Sequence, residues 1–339
     1  MITLRQSSFS SLAKFKLTLK VIFFLLVFFH STVWGDLAER LAWEKVVPEN
    51  RKDLFAIQQK LKILLAKVES AVVSIESEDG AGSGVVVSED GLVLTAAHVI
   101  GSTGKKMKVI LNDGRKLPAV SLGGSEISDA GMLKIKKAES LPFVNISKDD
   151  PSVIGDWCFA LGHPGGYDPR RGIVVRLGRI IGKKDETIRT DSRLLGGDSG
   201  GPLFDFKGNV IAIHSRISEE PDQNFHVPVE SFLANWDFFK EKKILTLESL
   251  AYGGFLGITC EEVNGGVLIL EVIDDTPAHK AGLLPGDVLK EMNGEKISNR
   301  ENLTIRVSRL KPGKKVVFLY DRKGKLISSK IKIGTRSFE

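Results

Sequence analysis

The chain has 339 residues, enough for two domains, and its 42% hydrophobic and 27% charged residues are ordinary for a globular protein. That composition supplies a sizeable core and excludes intrinsic disorder and collagen-like repeats. The net charge is +6, but residues 1–35 hold Arg5, Lys14, Lys16 and Lys20 without one acid, which leaves +2 elsewhere and gives no call for a nucleic-acid partner.

Those cations precede the apolar run Val21–Phe29 and then Ser31-Thr32-Val33-Trp34-Gly35. The run is too short for a bilayer span, which needs about 20 residues. The layout predicts a secretory signal peptide over residues 1–35, cut before Asp36, and export to the periplasm or the medium. An uncleaved anchor is the alternative. Over residues 36–67, Leu37, Leu41, Leu54, Ile57, Leu61, Leu64 and Leu65 recur among charges, an amphipathic helical pattern broken near Pro48. It suits either a helix packed on its own domain or an oligomer contact.

From Val68 the texture changes to short β-branched runs, such as Ala71–Ile75, Gly84–Val87, Leu92–Thr95, Met107–Leu111 and Met132–Ile135. Gly, Asp and Ser clusters separate them, so residues 68–243 read as an all-β barrel or sandwich closed by a helix over 231–243. The polar stretch 241–252 reads as a boundary. Residues 253–334 form a separate α+β module, with strand-like runs at Phe255–Thr259, Val267–Val272, Val288–Met292, Val316–Tyr320 and Ile327–Ile333 around helical patches at 278–281 and 299–310. Cys158 and Cys260, the only cysteines, are expected to be buried thiols. No Cys/His pair has ligand spacing, so neither a metal nor a cofactor is expected.

The chemistry concentrates in Gly196-Gly197-Asp198-Ser199-Gly200-Gly201-Pro202. A serine hydroxyl is a poor nucleophile unless a base takes its proton and donors stabilise the oxyanion. Flanking glycines let the amides of Gly197 and Ser199 converge on one point. His98 stands at the end of the apolar run Leu94-Thr95-Ala96-Ala97, and Asp129 just before Ala130-Gly131-Met132-Leu133. Singly, these read as a hairpin turn, a strand-end histidine and a cap. Together, the order His, Asp, Ser is that of chymotrypsin-like enzymes.

At this point the sequence resembles the HtrA/Deg family of exported, trypsin-like serine proteases carrying a PDZ domain. The likeness extends over Ala81–Val87 with Asp90–Thr95, over Ala160-Leu161-Gly162-His163-Pro164-Gly165-Gly166, and over Ile188-Arg189-Thr190-Asp191. It implies a mainly β fold, a chymotrypsin-like double β-barrel followed by an α+β PDZ domain. By resemblance Ser199 is the nucleophile, His98 the base, Asp129 its orienter, and the amides of Gly197 and Ser199 the oxyanion hole.

Two departures bear on specificity. Asp198 stands where the family usually has Asn, and Arg193-Leu194-Leu195 where small or polar residues are common. The strand Val210–Arg216 carries His214, similar to a segment of glutamyl endopeptidases in which a histidine helps bind an acidic side chain. Arg193, His214 and Arg216 are therefore candidates for an S1 pocket that prefers an acidic P1 residue. Alternatively His214 is a packed strand residue, and the arginines pair with Asp198 or Glu219. His163 and His226 read as structural.

In the C-terminal module, Phe255-Leu256-Gly257-Ile258 resembles the PDZ carboxylate-binding loop, Asp275–Leu289 the PDZ core, and residues 299–310 the helix beside the peptide groove. The whole implies an exported serine endopeptidase acting on unfolded or damaged proteins, with C-terminal peptides captured at the PDZ domain by strand addition. The resemblance implies a homo-oligomer, with a trimer built through the N-terminal region as one form it takes. The alternative is a non-proteolytic, PDZ-dependent chaperone or binding protein.

Overall fold

A computed structural model describes residues 41–78, 80–136, 140–147, 152–184, 187–217 and 223–335. The expected signal peptide and its cut site lie outside these residues. The chain divides into two units, residues 1–56 and 57–339. In the first, Lys45 pairs with Glu49 at 2.9 Å and with Asp53 at 3.1 Å, across the break anticipated at Pro48. Helix α1 runs over Arg51–Val68. No helix among the described residues is long and apolar enough to cross a membrane.

After a single 3-10 turn the chain becomes strand-rich. It runs through β1 (Val72–Ser77), β2 (Gly80–Val86), β3 (Leu92–Ala96), a one-turn helix α2 (Ala97–Ile100), β4 (Lys106–Ile110), β5 (Lys116–Ser125) and β6 (Ala130–Ile135). Their order is β5-β4-β1-β2-β3-β6, and β6 returns to pair with β5, closing a first barrel. A second closed barrel has the order β10-β11-β12-β9-β8-β7. It comprises β7 (Trp157–Gly162), β8 (Val174–Lys184), β9 (Thr187–Thr190), β10 (Pro202–Asp205), β11 (Val210–Ile217) and β12 (Asn224–Pro228). Closure removes the exposed edges that an open sheet of this composition would present. The stacked rings of Phe159 and Phe204, 5.1 Å apart and both fully buried, anchor the second barrel. Each such ring contributes about 1.5–3 kcal/mol of burial energy.

The single helix expected over 231–243 is two short ones, α3 (Val229–Ala234) and α4 (Trp236–Lys240). Asn235 breaks it: at φ −123° it turns its side-chain amide back to the Ser231 carbonyl at 2.9 Å. The kink lets Phe232 and Phe239 meet edge to face, both fully buried. The stretch read as a polar boundary also has structure. β13 (Ile244–Leu245) pairs in parallel with β5 of the first barrel, and α5 spans Leu247–Tyr252.

The C-terminal module begins with β14 (Gly254–Phe255), β15 (Ile258–Val263) and β16 (Gly266–Val272), then the short helix α6 (Pro277–Lys280). It continues with β17 (Val288–Met292), β18 (Glu295–Lys296), helix α7 (Arg300–Ser308), β19 (Lys315–Arg322), β20 (Lys325–Lys332) and β21 (Gly334–Thr335). The main sheet has the order β15-β16-β17-β19-β20, with β18 on β17, and β14 pairs with β21. Asn293 and Gly294, at φ 54° and 80°, make the two-residue turn between β17 and β18. The Asn299 side chain caps α7 by accepting from the Asn302 amide at 2.7 Å.

Candidate active site

The first barrel delivers a histidine–carboxylate pair. His98 lies on α2, directly after β3, and Asp129 immediately precedes β6, the strand paired to β3. The His98 Nδ1 lies 2.9 Å from Asp129 Oδ2 and 3.0 Å from Oδ1, and the His98 amide donates to Oδ1 at 3.0 Å. Asp129 takes this position with φ 64°, a left-handed backbone that a non-glycine residue adopts at some energetic cost and that concentrates at functional sites. Its carbonyl accepts from the Ala97 amide at 2.9 Å, which holds the strained residue against the helix carrying His98.

The second barrel completes the carboxylate's shell. Ser215, on β11, donates its hydroxyl to Asp129 Oδ2 at 2.6 Å. Burial alone would raise the Asp129 carboxyl, but the His98 ring, its charge and the Ser215 hydroxyl outweigh that and hold it below its usual value. Reciprocally, the hydrogen bond to Asp129 raises His98, against the opposing effect of burial. An ionised carboxylate on Nδ1 leaves Nε2 as the free face of the ring.

Ser199 sits between β9 and β10 of the second barrel. Its Oγ donates to the Ser215 carbonyl at 3.3 Å, and among the described residues it shares no hydrogen bond with His98. A hydroxyl rotor turns freely, and such contacts commonly tighten only with substrate bound. The loop is rigid around it: Ser83 donates its hydroxyl to the Gly197 carbonyl at 2.8 Å, and the Ser83 amide donates to the Ser199 carbonyl at 2.8 Å. Gly197 has φ 97°, and a Cβ there would fall 2.4 Å from the Gly165 nitrogen. The Gly197 and Ser199 amides have no acceptor among the described residues. Two donors left open beside a serine suit a developing oxyanion.

The specificity candidates separate. His214 is fully buried and meets His226 ring to ring at 2.9 Å, while His226 is 2.8 Å from the Thr190 hydroxyl. Burial pushes His214 far below its ordinary value and His226 down to about 3, so both are neutral. The reading of His214 as an S1 wall is thereby corrected: it is a barrel-core residue with no surface to offer a substrate. Arg193 and Arg216 are exposed. Neither pairs with Asp198, whose partner is Arg176 at 2.8 Å. Arg216 lies over the Phe225 ring at 5.5 Å and helps line a cavity of about 220 Å³ with Ser215, His226 and Arg300. Cys158 is buried as expected, whereas Cys260 is only half-buried on β15; both are free thiols.

Sequence reasoning passed over three residues. Ser215, Ser83 and Arg176 lie in stretches where a serine or an arginine carries no local signal; their roles come from the meeting of the two barrels.

In the C-terminal module, Phe255, Leu256, Gly257 and Ile258 line a groove of about 100 Å³ together with Leu303, Thr304 and Val307 of α7. Leu256 is buried in the module core at 4% exposure, so its side chain serves packing as well as the groove. Gly257 has φ 89°, and its carbonyl accepts from the Ile273 amide at 3.0 Å. The Leu256 and Gly257 amides have no acceptor among the described residues.

Both parts of the chain match known families. Residues 82–213 match the trypsin-like peptidase domain family, and residues 254–333 the PDZ domain family. The chain is 33% identical over 273 residues to a probable periplasmic serine endoprotease DegP-like of Hahella chejuensis, covering 75% of this chain and 56% of that protein. It is 34% identical over 274 residues to the same-named protein of Ectopseudomonas mendocina, with the same coverage. The chain thus spans just over half the length of these curated relatives. Among solved structures, the serine endoprotease from Yersinia pestis superposes with a TM-score of 0.54 at 26% identity, covering 81% of this chain and 98% of that one. The HtrA-type protease AlgW with a tripeptide gives a TM-score of 0.55 at 27% identity, covering 81% of this chain and 97% of that one.

Proposed function

We propose that this chain, a trypsin-like peptidase domain joined to a PDZ domain and so a member of the HtrA/DegP-type serine endoproteases, hydrolyses peptide bonds of unfolded or damaged proteins. Ser199 is the nucleophile, His98 takes its proton and returns it to the leaving amine, and Asp129 fixes the histidine tautomer and orientation. The amides of Gly197 and Ser199 receive the oxyanion. The observation that carries this reading is the Ser215–Asp129–His98 chain of hydrogen bonds beside a serine whose loop offers two open amides.

The test is labelling of the full-length chain with a fluorophosphonate, together with casein cleavage. Wild type is expected to label and to cleave, and Ser199→Ala to do neither. Casein cleavage that persists in a clean Ser199→Ala preparation overturns the assignment. Absence of labelling in folded wild type favours the alternative, a PDZ-dependent chaperone whose barrels act as a scaffold.

The preference for an acidic P1 side chain rests on cationic surface and not on His214. Arg193 and Arg216 are exposed, Arg216 directly follows the Ser215 whose carbonyl accepts from Ser199, and the described lining of the cavity beside Ser215 holds Arg216, Arg300 and no acid. Profiling with a peptide library checks it; a preference for Val, Ala or Leu at P1 overturns it. At the PDZ groove, the open amides of Leu256 and Gly257 support capture of a C-terminal carboxylate. Export follows the layout of residues 1–35 and the periplasmic names of the relatives. Exposed Val46, Val47, Leu54 and Phe55 favour a homo-oligomer formed through the N-terminal region.

A further inference from the structure

Asp198, the residue before Ser199, is an uncommon choice for the interior of a protein. Its side chain is fully buried, and a lone carboxylate there is held in the charged state only with a partner. Arg176 supplies one from β8, with Nη2 at 2.8 Å from Oδ2 and only 15% of its own side chain exposed. Oδ2 also accepts the Leu195 amide at 2.8 Å, while the Asp198 amide donates to the Leu195 carbonyl at 3.0 Å. One side-chain and one backbone hydrogen bond therefore close the turn 195–198. The Asp198 carbonyl accepts the Gly201 amide at 2.8 Å, which fixes the far side of Ser199.

The fit around the pair is close. Gly162, at the end of β7, leaves the space that Oδ1 occupies, since a Cβ there would lie 2.4 Å from that oxygen. Among the described residues, Oδ1 and the Arg176 Nη1 are both buried without a hydrogen-bond partner; burial pushes the Asp198 carboxyl up, and the Leu195 amide and the Arg176 charge are what chiefly oppose it. An asparagine at 198 would make the same turn without any charge to balance. Aspartate makes the turn conditional on a cation, and β8 provides that cation from its first half, where Arg176 stands opposite Ala160 of β7.

We propose that Arg176 is a positioning residue of this active site, which by pairing with Asp198 holds the turn that aims the Gly197 and Ser199 amides. The proposal rests on the serine endopeptidase reading. Arg176 touches neither substrate nor nucleophile; it acts through Asp198.

The experiment compares four full-length proteins on a fluorogenic peptide and in thermal melts: wild type, Arg176→Met, Asp198→Asn and the double variant. Losing well-placed oxyanion donors lowers kcat by roughly 10²–10³-fold, so Arg176→Met is expected to lose about 100-fold in kcat with KM nearly constant. The double variant carries neither buried charge and is expected to recover to within about 10-fold of wild type. In the melts, Arg176→Met is expected to fall by roughly 5–15 °C and the double variant to regain most of that.

Arg176→Met activity close to wild type overturns the proposal. So does a folded double variant that is as slow and as unstable as Arg176→Met. If Arg176→Met fails to fold, the double variant against Asp198→Asn decides: equal activities support a charge-compensating role, and a large deficit overturns it. Fluorophosphonate labelling of wild type reads the endopeptidase assignment separately. Were that to fail, coupling between the two positions in the melts still reports on the clamp.

Discussion

Ser128 donates its hydroxyl to the Glu301 carboxylate at 2.7 Å, tying the residue before Asp129 to the helix that walls the PDZ groove. Glu301 lies in the first turn of α7, where the helix dipole favours an anion, and it is almost fully buried. Its other oxygen is 3.4 Å from the Asn235 amide, and Asn302 donates to the Ala234 carbonyl at 2.9 Å. The α3–α4 kink and the start of α7 therefore dock through hydrogen bonds from the Asn235 and Asn302 side-chain amides. Removing the carboxylate takes the acceptor from the half-buried Ser128 hydroxyl and one of two acceptors from the Asn235 amide, a loss of about 1–3 kcal/mol. Glu301→Ala is expected to melt earlier by that amount in denaturant titration, with Glu301→Gln intermediate. Equal stability of all three proteins would show that the junction contributes nothing.

The pH response follows from the His98–Asp129 pair. The hydrogen bond to Asp129 raises the folded histidine above its ordinary 6.5. That interaction therefore stabilises the fold fully below 6.5, and the contribution disappears as pH rises through the raised folded value. Turnover runs the other way, because the base must be neutral. The rising limb of kcat/KM against pH is expected above 6.5. Asp129→Asn removes the cause, so its limb is expected to move down, with kcat falling by about 10⁴-fold as in the trypsin variant that provides this magnitude. A wild-type limb at or below 6.5 would contradict the geometry.

How much of this was legible beforehand depended on whether the signal was local. His98, Asp129 and Ser199 sit beside glycines, small residues and apolar runs that mark strand ends, so their neighbourhoods single them out as candidates. The C-terminal module was equally plain, with α7 expected over 299–310 and found at Arg300–Ser308. Pairings between distant segments were not. β5 and β8 contain Pro118, glycines and several charges, which hide long strands from a pattern of β-branched runs. His214 misled for the same reason: alternation along β11 says which residues share a face but not that the face closes on His226 inside a barrel. Arg176 gained its meaning only when β8 was laid against the loop holding Asp198.

Gly197 carries a sharper test of the oxyanion loop. Its φ of 97° strains any L side chain, and a Cβ would meet the backbone nitrogen of Gly165 at 2.4 Å and the His163 carbonyl oxygen at 2.8 Å. Both atoms are backbone, held by the Gly165 amide's bond to the Gly196 carbonyl at 2.7 Å, so neither can swing aside. Gly197→Ala is expected to displace one donor and cut kcat by roughly 10²–10³-fold, while fluorophosphonate labelling of Ser199 slows in step. Unchanged kinetics would place the oxyanion elsewhere.

The PDZ groove depends on a second such glycine. At φ 89°, Gly257 puts its α-carbon against Thr276, whose Cβ would be only 2.2 Å from an added Cβ. Thr276 cannot retreat easily, because it caps α6 and donates its hydroxyl to the Ile273 carbonyl at 2.5 Å. Left-handed backbone alone disfavours a non-glycine residue by about 1–2 kcal/mol, and the clash adds to that. Gly257→Ala should therefore open the loop whose amides face the groove. A fluorescent peptide ending in a hydrophobic residue with a free carboxylate is expected to bind at least about tenfold more weakly, the equivalent of 1.4 kcal/mol. The amidated form of the same peptide separates carboxylate capture from groove packing: it should bind wild type weakly and lose little further on Gly257→Ala. Equal affinity of both peptides for wild type would remove the carboxylate from the recognition.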